Sequence, residues 1–239
     1  MKNHPFRLLA IGALASVFAA DAHAVSYGEF LSPALTGATG TDGWFDLNTT
    51  NFGPHGTFGT TNAAWPSVLD SNQTGSGDAT WDKLPGTSGY LTGAGSNVLY
   101  SPNTLGTFTV TDATPISGLA TVTFQLSSTG DIAAPSFDYN GGDQNLAPAF
   151  SALLFSGTVT TAFGPATQYL WAYQWDLTSV GAITSFGVTW TTAEPHNLTF
   201  GARLDQASVF TGSAIPEPSA FAAFSGLGVL ALAATRRRR

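Results

Sequence analysis

Four aromatic rings recur at every second position, Tyr169, Trp171, Tyr173 and Trp175, with Leu170, Ala172 and Gln174 between them. On a β-strand alternate side chains share a face, so this spacing sets the rings in one row. Buried between sheets, such a row fills a core, the commoner fate of large aromatics. Turned to solvent, it is a platform on which the C–H faces of sugars stack, with Gln168, Gln174 and Asp176 as neighbours for sugar hydroxyls. A row with one end exposed would combine the two. A second grouping, Asp138-Tyr139-Asn140-Gly141-Gly142-Asp143-Gln144-Asn145, sets the oxygens of Asp138, Asn140 and Asp143 in a glycine-rich turn. Ca²⁺ prefers such oxygens. The turn departs from the EF-hand loop, with Gly142 at the fifth position and no glutamate at the twelfth, and Asp and Asn are the ordinary residues of any exposed turn. Asp205 and Glu29 are further candidates for a structural Ca²⁺, although nothing in the sequence pairs them. No other cofactor is implied.

Catalytic groups are few. Between residues 25 and 215 the histidines are His55 and His196, in no zinc-binding spacing, and neither a G-x-S-x-G elbow nor a phosphate-binding loop occurs. Glu194-Pro195-His196 sets an acid near an imidazole, but the intervening proline marks a turn. A glycosidase needs two carboxylates facing across a cleft, and with Glu29 and Glu194 the only glutamates of this stretch, aspartates would have to serve. Cysteine is absent, which excludes disulfides, thiolate metal sites and a cysteine nucleophile. Thirteen acids stand against Lys83 and Arg203 here, a net charge of −11, so the basic footprint that nucleic acid or anionic lipid requires is missing. The expectation is a protein that is not an enzyme.

The elements that must position these groups read as β structure. Thr, Ser, Gly and aromatics are abundant, while Lys, Glu, Arg and Met are scarce. Phe108 and Val110 alternate with Thr107, Thr109 and Thr111; Ala120, Val122, Phe124 and Leu126 alternate with Thr121, Thr123 and Gln125. Residues 112–118 between them carry turn formers. Further strands are predicted over 149–159, 167–177, 184–192, 198–204 and 207–210, and the spacing points to an antiparallel β-sandwich. From Val25 to Thr104 the pattern is poorer: Trp44, Trp65 and Trp81 stand alone among loops or short strands, and 36–43 and 71–78 read as long surface loops. No helical periodicity is evident between residues 25 and 214, which are expected to form one domain.

The two ends differ from this middle. Met1 to Ala24 has a basic start at Lys2 and Arg7, an apolar run from Leu8 to Ala20, and Ala22-His23-Ala24, the pattern of a secretory signal peptide cut by signal peptidase before Val25. At the other end, residues 215–239, Pro216-Glu217-Pro218 force an extended polar stretch. The uncharged run from Ala220 to Thr235 follows, then Arg236, Arg237, Arg238 and Arg239. As a single transmembrane helix that run spans about 24 Å, short of the ~30 Å hydrocarbon core, and the arginines would keep its end cytoplasmic.

Pro-Glu-Pro, a short apolar helix and an arginine cluster, in that order at the extreme C-terminus, resemble the PEP-CTERM sorting signal of Gram-negative bacteria. That resemblance implies an exosortase as partner, a membrane-embedded cysteine protease or transpeptidase that cuts near the motif, and a substrate held first in the inner membrane. Weaker is the likeness of residues 115–126 and 204–209 to strands of PEP-CTERM ectodomains with a jelly-roll or carbohydrate-binding-module-like sandwich. Together these readings lead us to expect an exported protein of the cell surface or extracellular matrix, structural or adhesive beside exopolysaccharide. A carbohydrate-binding module with a defined glycan is the alternative, and a secreted hydrolase the third.

Overall fold

The structure, a computed structural model, describes residues 30–75, 77–93, 95–161 and 164–215. Alternating Thr and apolar residues fold into twelve strands: β1 Thr36–Trp44, β2 Leu69–Asp70, β3 Thr80–Lys83, β4 Tyr90–Leu91, β5 Leu99–Ser101, β6 Thr107–Asp112, β7 Thr121–Thr129, β8 Ser136–Tyr139, β9 Phe150–Thr161, β10 Gly164–Asp176, β11 Phe186–Thr191 and β12 Asn197–Val209. One α-helical turn, α1 Thr49–Phe52, starts where the Asn48 side chain accepts the Thr50 and Asn51 amides.

Seven strands form one antiparallel sheet in the order β4-β5-β12-β7-β10-β9, with β1 beside β12 on the edge that β5 also uses; five form another, β2-β3-β6-β11-β8. Alternation decides what lies between them. In the larger sheet Trp175 pairs with Val122, Tyr173 with Phe124 and Trp171 with Leu126. In the smaller, Trp81 pairs with Val110 and Phe108 with Trp190. These residues belong to one core, knit across the sheets by Phe124–Trp190 at 5.0 Å, Trp44–Trp81 at 6.0 Å and Phe137–Trp175 at 5.5 Å between ring centroids. The tryptophans that looked isolated in the sequence are thus core anchors: Trp44 and Trp81 are fully buried, and Trp65 nearly so. This is a β-sandwich.

Two expected boundaries shift. Residues 36–43 are not a loop but most of β1, because Trp44 on the buried face and continuous pairing from Thr39 to Trp44 against β12 outweigh their turn-forming composition. Residues 198–210 are not two strands either. Asp205 and Gln206, which suggest a turn, lie inside β12, where Arg203 and Thr41 hold the carboxylate and Ile116 and Asp112 hold the amide. The described part of the loop predicted over 71–78, residues 71–75 and 77–78, is a loop. It runs along the free edge of β1, with Asn72 N donating to Gly43 O and Gly77 N to Thr41 O.

The outer face of the larger sheet carries a second apolar cluster with Phe30, Phe45, Leu170 and Phe200. Here two glutamines clip the segments at either end of the described residues. Gln125 accepts from Leu31 N and donates to Leu31 O, while Gln174 accepts from Ala214 N and donates to Gly212 O. Ala34 N donates to Ala214 O, so residues 30–35 and 211–215 lie side by side. Among the described residues no helix is long and apolar enough to cross a membrane. The predicted signal peptide, Glu29 and everything from Pro216 through the apolar run to Arg236, Arg237, Arg238 and Arg239 lie outside the described residues.

Candidate functional site

β10 carries the aromatic row as a gradient from core to surface. Trp175 is 1% exposed and its indole N–H donates to Leu146 O at 3.0 Å; Tyr173 is buried, and burial, helped by the charge of Asp131, pushes its phenol well above the usual range. Trp171 stacks on Tyr173 at 6.3 Å with the ring planes 23° apart, and Trp171 and Tyr169 are half-buried. Two of the four rings therefore fill the sandwich, Trp171 packs partly against the same core, and Tyr169 and Trp171 keep part of their surface accessible. The polar neighbours are engaged by the protein itself: Gln168 donates to Ser127 Oγ, Gln174 clips the 212–214 segment, and Asp176 accepts from Thr178.

The oxygens of the turn between β8 and β9 are also engaged. Asp138 accepts from Asn145 N, Asp143 from Asn145 Nδ2, and Asn140 Oδ1 from Thr184 N and Oγ1. Asn140 and Asn145 take the left-handed conformation, with φ of 53° and 51°, that asparagine tolerates in turns. Asp205 is fixed by Arg203, whose Nη2 reaches Oδ1 at 2.7 Å, and by Thr41.

His55 is buried, its ring nitrogens against Gly53 O and Ser67 O, and it pins the chain after α1. His196 sits in the turn that Pro195 implied, with φ 62°, and its Nδ1 lies 2.7 Å from the Tyr100 hydroxyl. Glu194 packs against Gly130. Lys83 is buried, donates to Thr61 O and Gly89 O, and its ammonium is pushed below the usual lysine range by that burial. It ties two loops together.

One acidic grouping escaped the sequence reading. Asp42 on β1 shares its face with Trp44 and pairs with Leu204, so it points between the sheets. Asp112, ending β6 in the register of Phe108 and Val110, points inward from the opposite sheet. Gln206 crosses between them, donating to Asp112 Oδ2 and accepting from Ile116 N. Asp78 joins through Thr114, whose N donates to Asp112 Oδ1 and whose hydroxyl donates to Asp78 Oδ2. Asp42 is 0% exposed, and neither of its oxygens has a hydrogen-bond partner among the described residues. Burial first, then the charges of Asp112 and Asp78, push its carboxyl up to about 7; the Ser71 hydroxyl opposes the rise, but its proton goes to Gly43 O. The available signal was the alternation Gly40, Asp42, Trp44: once Trp44 is placed in the core, Asp42 must follow it inward.

No family model matches the chain, and no match was found among curated proteins or among solved structures.

Proposed function

We propose that this chain is a non-catalytic exported protein, sorted through its C-terminal tail to the cell surface or extracellular matrix, where its β-sandwich is structural or adhesive beside exopolysaccharide. The observation that carries the reading is the tail: Pro216-Glu217-Pro218, an uncharged run from Ala220 to Thr235, and four terminal arginines, behind a signal-peptide pattern at the other end. The resemblance to the PEP-CTERM signal supplies exosortase as the partner and an inner-membrane intermediate. The sandwich is compatible with this role, because the Gln174 clip holds Ala214 within the fold. A cut at or beyond Pro216 would leave the clip and the core intact. Intact-mass analysis of the protein from its native envelope and medium, with and without exosortase, tests the reading. The expected result is a mass ending near 216–219 that depends on the enzyme; a chain retaining Arg239 in both strains would reduce the tail to a plain anchor.

A second reading, a carbohydrate-binding-module-like sandwich with a defined glycan, is favoured by the partial exposure of Tyr169 and Trp171. It predicts that soluble glycan changes Trp fluorescence in the parent but not in Trp171→Ala.

A further inference from the structure

A carboxylate without a partner inside a protein is costly unless it is protonated or meets a cation. Asp42 meets that condition on geometry alone: it is fully buried, both oxygens lack a donor among the described residues, and its neighbours Asp112 and Asp78 are acids. The 77–78 segment packs close against it. A Cβ at Gly77 would lie 2.9 Å from Asp42 Oδ2, a distance at which something must shift, so the loop passes the carboxylate closely only as glycine. That loop is held in place by Gly77 N on Thr41 O, Asn72 N on Gly43 O and Ser71 Oγ on Gly43 O. These bonds flank Asp42 on both sides along β1.

We propose that the junction of β1 with residues 71–75 and 77–78 is a Ca²⁺ site in which Asp42 is the inner ligand and Asp112 and Asp78 supply the surrounding negative field. Ca²⁺ takes six to eight oxygens and accepts backbone carbonyls and water beside carboxylates. Among the described residues no three Asp, Glu, His or Cys side chains converge as a metal-binding set, so backbone carbonyls and water would have to complete the shell around Asp42. The cation would lie between the two sheets, since Asp42 comes from the larger sheet and Asp112 from the smaller. The turn at Asp138, Asn140 and Asp143 differs in that one oxygen of each of these side chains is already held by Asn145 or Thr184 and the turn is open to solvent. This inference is independent of the sorting reading.

The test uses the full chain in mild detergent, stripped with chelator, with Ca²⁺ as the probe. Thermal unfolding and calorimetric titration are compared for the parent, Asp42→Asn and Asp143→Asn, each checked for the native circular dichroism. With Ca²⁺ about a hundredfold above its dissociation constant, the parent and Asp143→Asn should unfold roughly 5–10 °C higher than without it. Asp42→Asn should not respond, and Asp112→Asn should bind more weakly while still folding. A parent that neither binds Ca²⁺ nor shifts would overturn the site and leave Asp42 a protonated acid. An Asp42→Asn chain that responds like the parent would also overturn it, placing the cation elsewhere.

Discussion

Asp205 and Asp42 are both buried, on neighbouring strands and on opposite faces of the same pair: Thr41 is registered with Asp205, and Asp42 with Leu204. Asp205 has Arg203 and Thr41 on its oxygens, whereas Asp42 has no donor among the described residues. Burial pushes both carboxyls up, but at Asp205 the Arg203 guanidinium and the Thr41 hydroxyl oppose the rise, whereas at Asp42 neighbouring acids add to it. For Asp205 the carboxylate compensates a buried guanidinium, and for Asp42 the charge has only other acids near it. The difference shows that what makes a buried acid a site is the count of donors left for it, not its depth.

The largest effect should come from the paired side. Asp205→Ala removes the carboxylate from buried Arg203 and should cost about 3–5 kcal/mol in urea unfolding. Adding Arg203→Met should recover most of that loss, because an apolar pair avoids both desolvation costs. A loss below about 1 kcal/mol for Asp205→Ala would mean that the pair behaves as a surface ion pair, and the contrast with Asp42 would collapse.

The unpaired side should show itself in pH. The Asp42 carboxyl lies at about 7 in the fold against an ordinary 3.8, raised by burial and by Asp112 and Asp78, with Asp205 a smaller contributor and Ser71 opposing. Between those values the unfolded chain loses this proton while the folded chain keeps it, so stability falls as pH rises. In chelator the contribution should be complete below pH about 4 and gone above about 7. Asp112, also raised mainly by burial, adds in the same direction. Asp42→Asn should make the profile shallower, leaving the slope due to Asp112 and Asp205, and should leave the chain more stable than the parent at pH 8, as read from urea midpoints across pH. A parent profile already flat between pH 4 and 7 would mean that Asp42 is ionised and partnered after all.

The same contrast explains what could be read in advance. Strands β6, β7 and β10 were legible because Val110, Phe124 and Trp175 alternate with polar residues, and one such pattern fixes one buried face. β1 was not, because Thr36-Gly37-Ala38-Thr39-Gly40 has turn composition, and it is a strand because β12 pairs with it. The four-ring row was legible as a row but not in its depth, since Tyr173 and Trp175 differ from Tyr169 only in what the smaller sheet covers. Asp42 was hidden for the same reason as β1. Its importance lies in missing donors, and these are supplied or withheld by residues such as Ser71, Gly77 and Asp112 that are distant in sequence.

The smallest effects belong to the turn that looked most like a cation site. Asp138 caps Asn145 N at 2.6 Å from a half-buried position, so Asp138→Ala removes one local turn bond and should cost about 0.5–1 kcal/mol. Asp143 holds only an exposed Asn145 amide, and Asp143→Ala should stay within about 0.5 kcal/mol of the parent. Both chains should keep the full Ca²⁺-dependent shift in unfolding temperature. If either lost that shift while Asp42→Asn kept it, the cation would sit on this turn, at carboxylate oxygens that its internal bonds leave over. The rule drawn from Asp205 and Asp42, that only a carboxylate short of donors recruits a cation, would then fail at the first place it was applied.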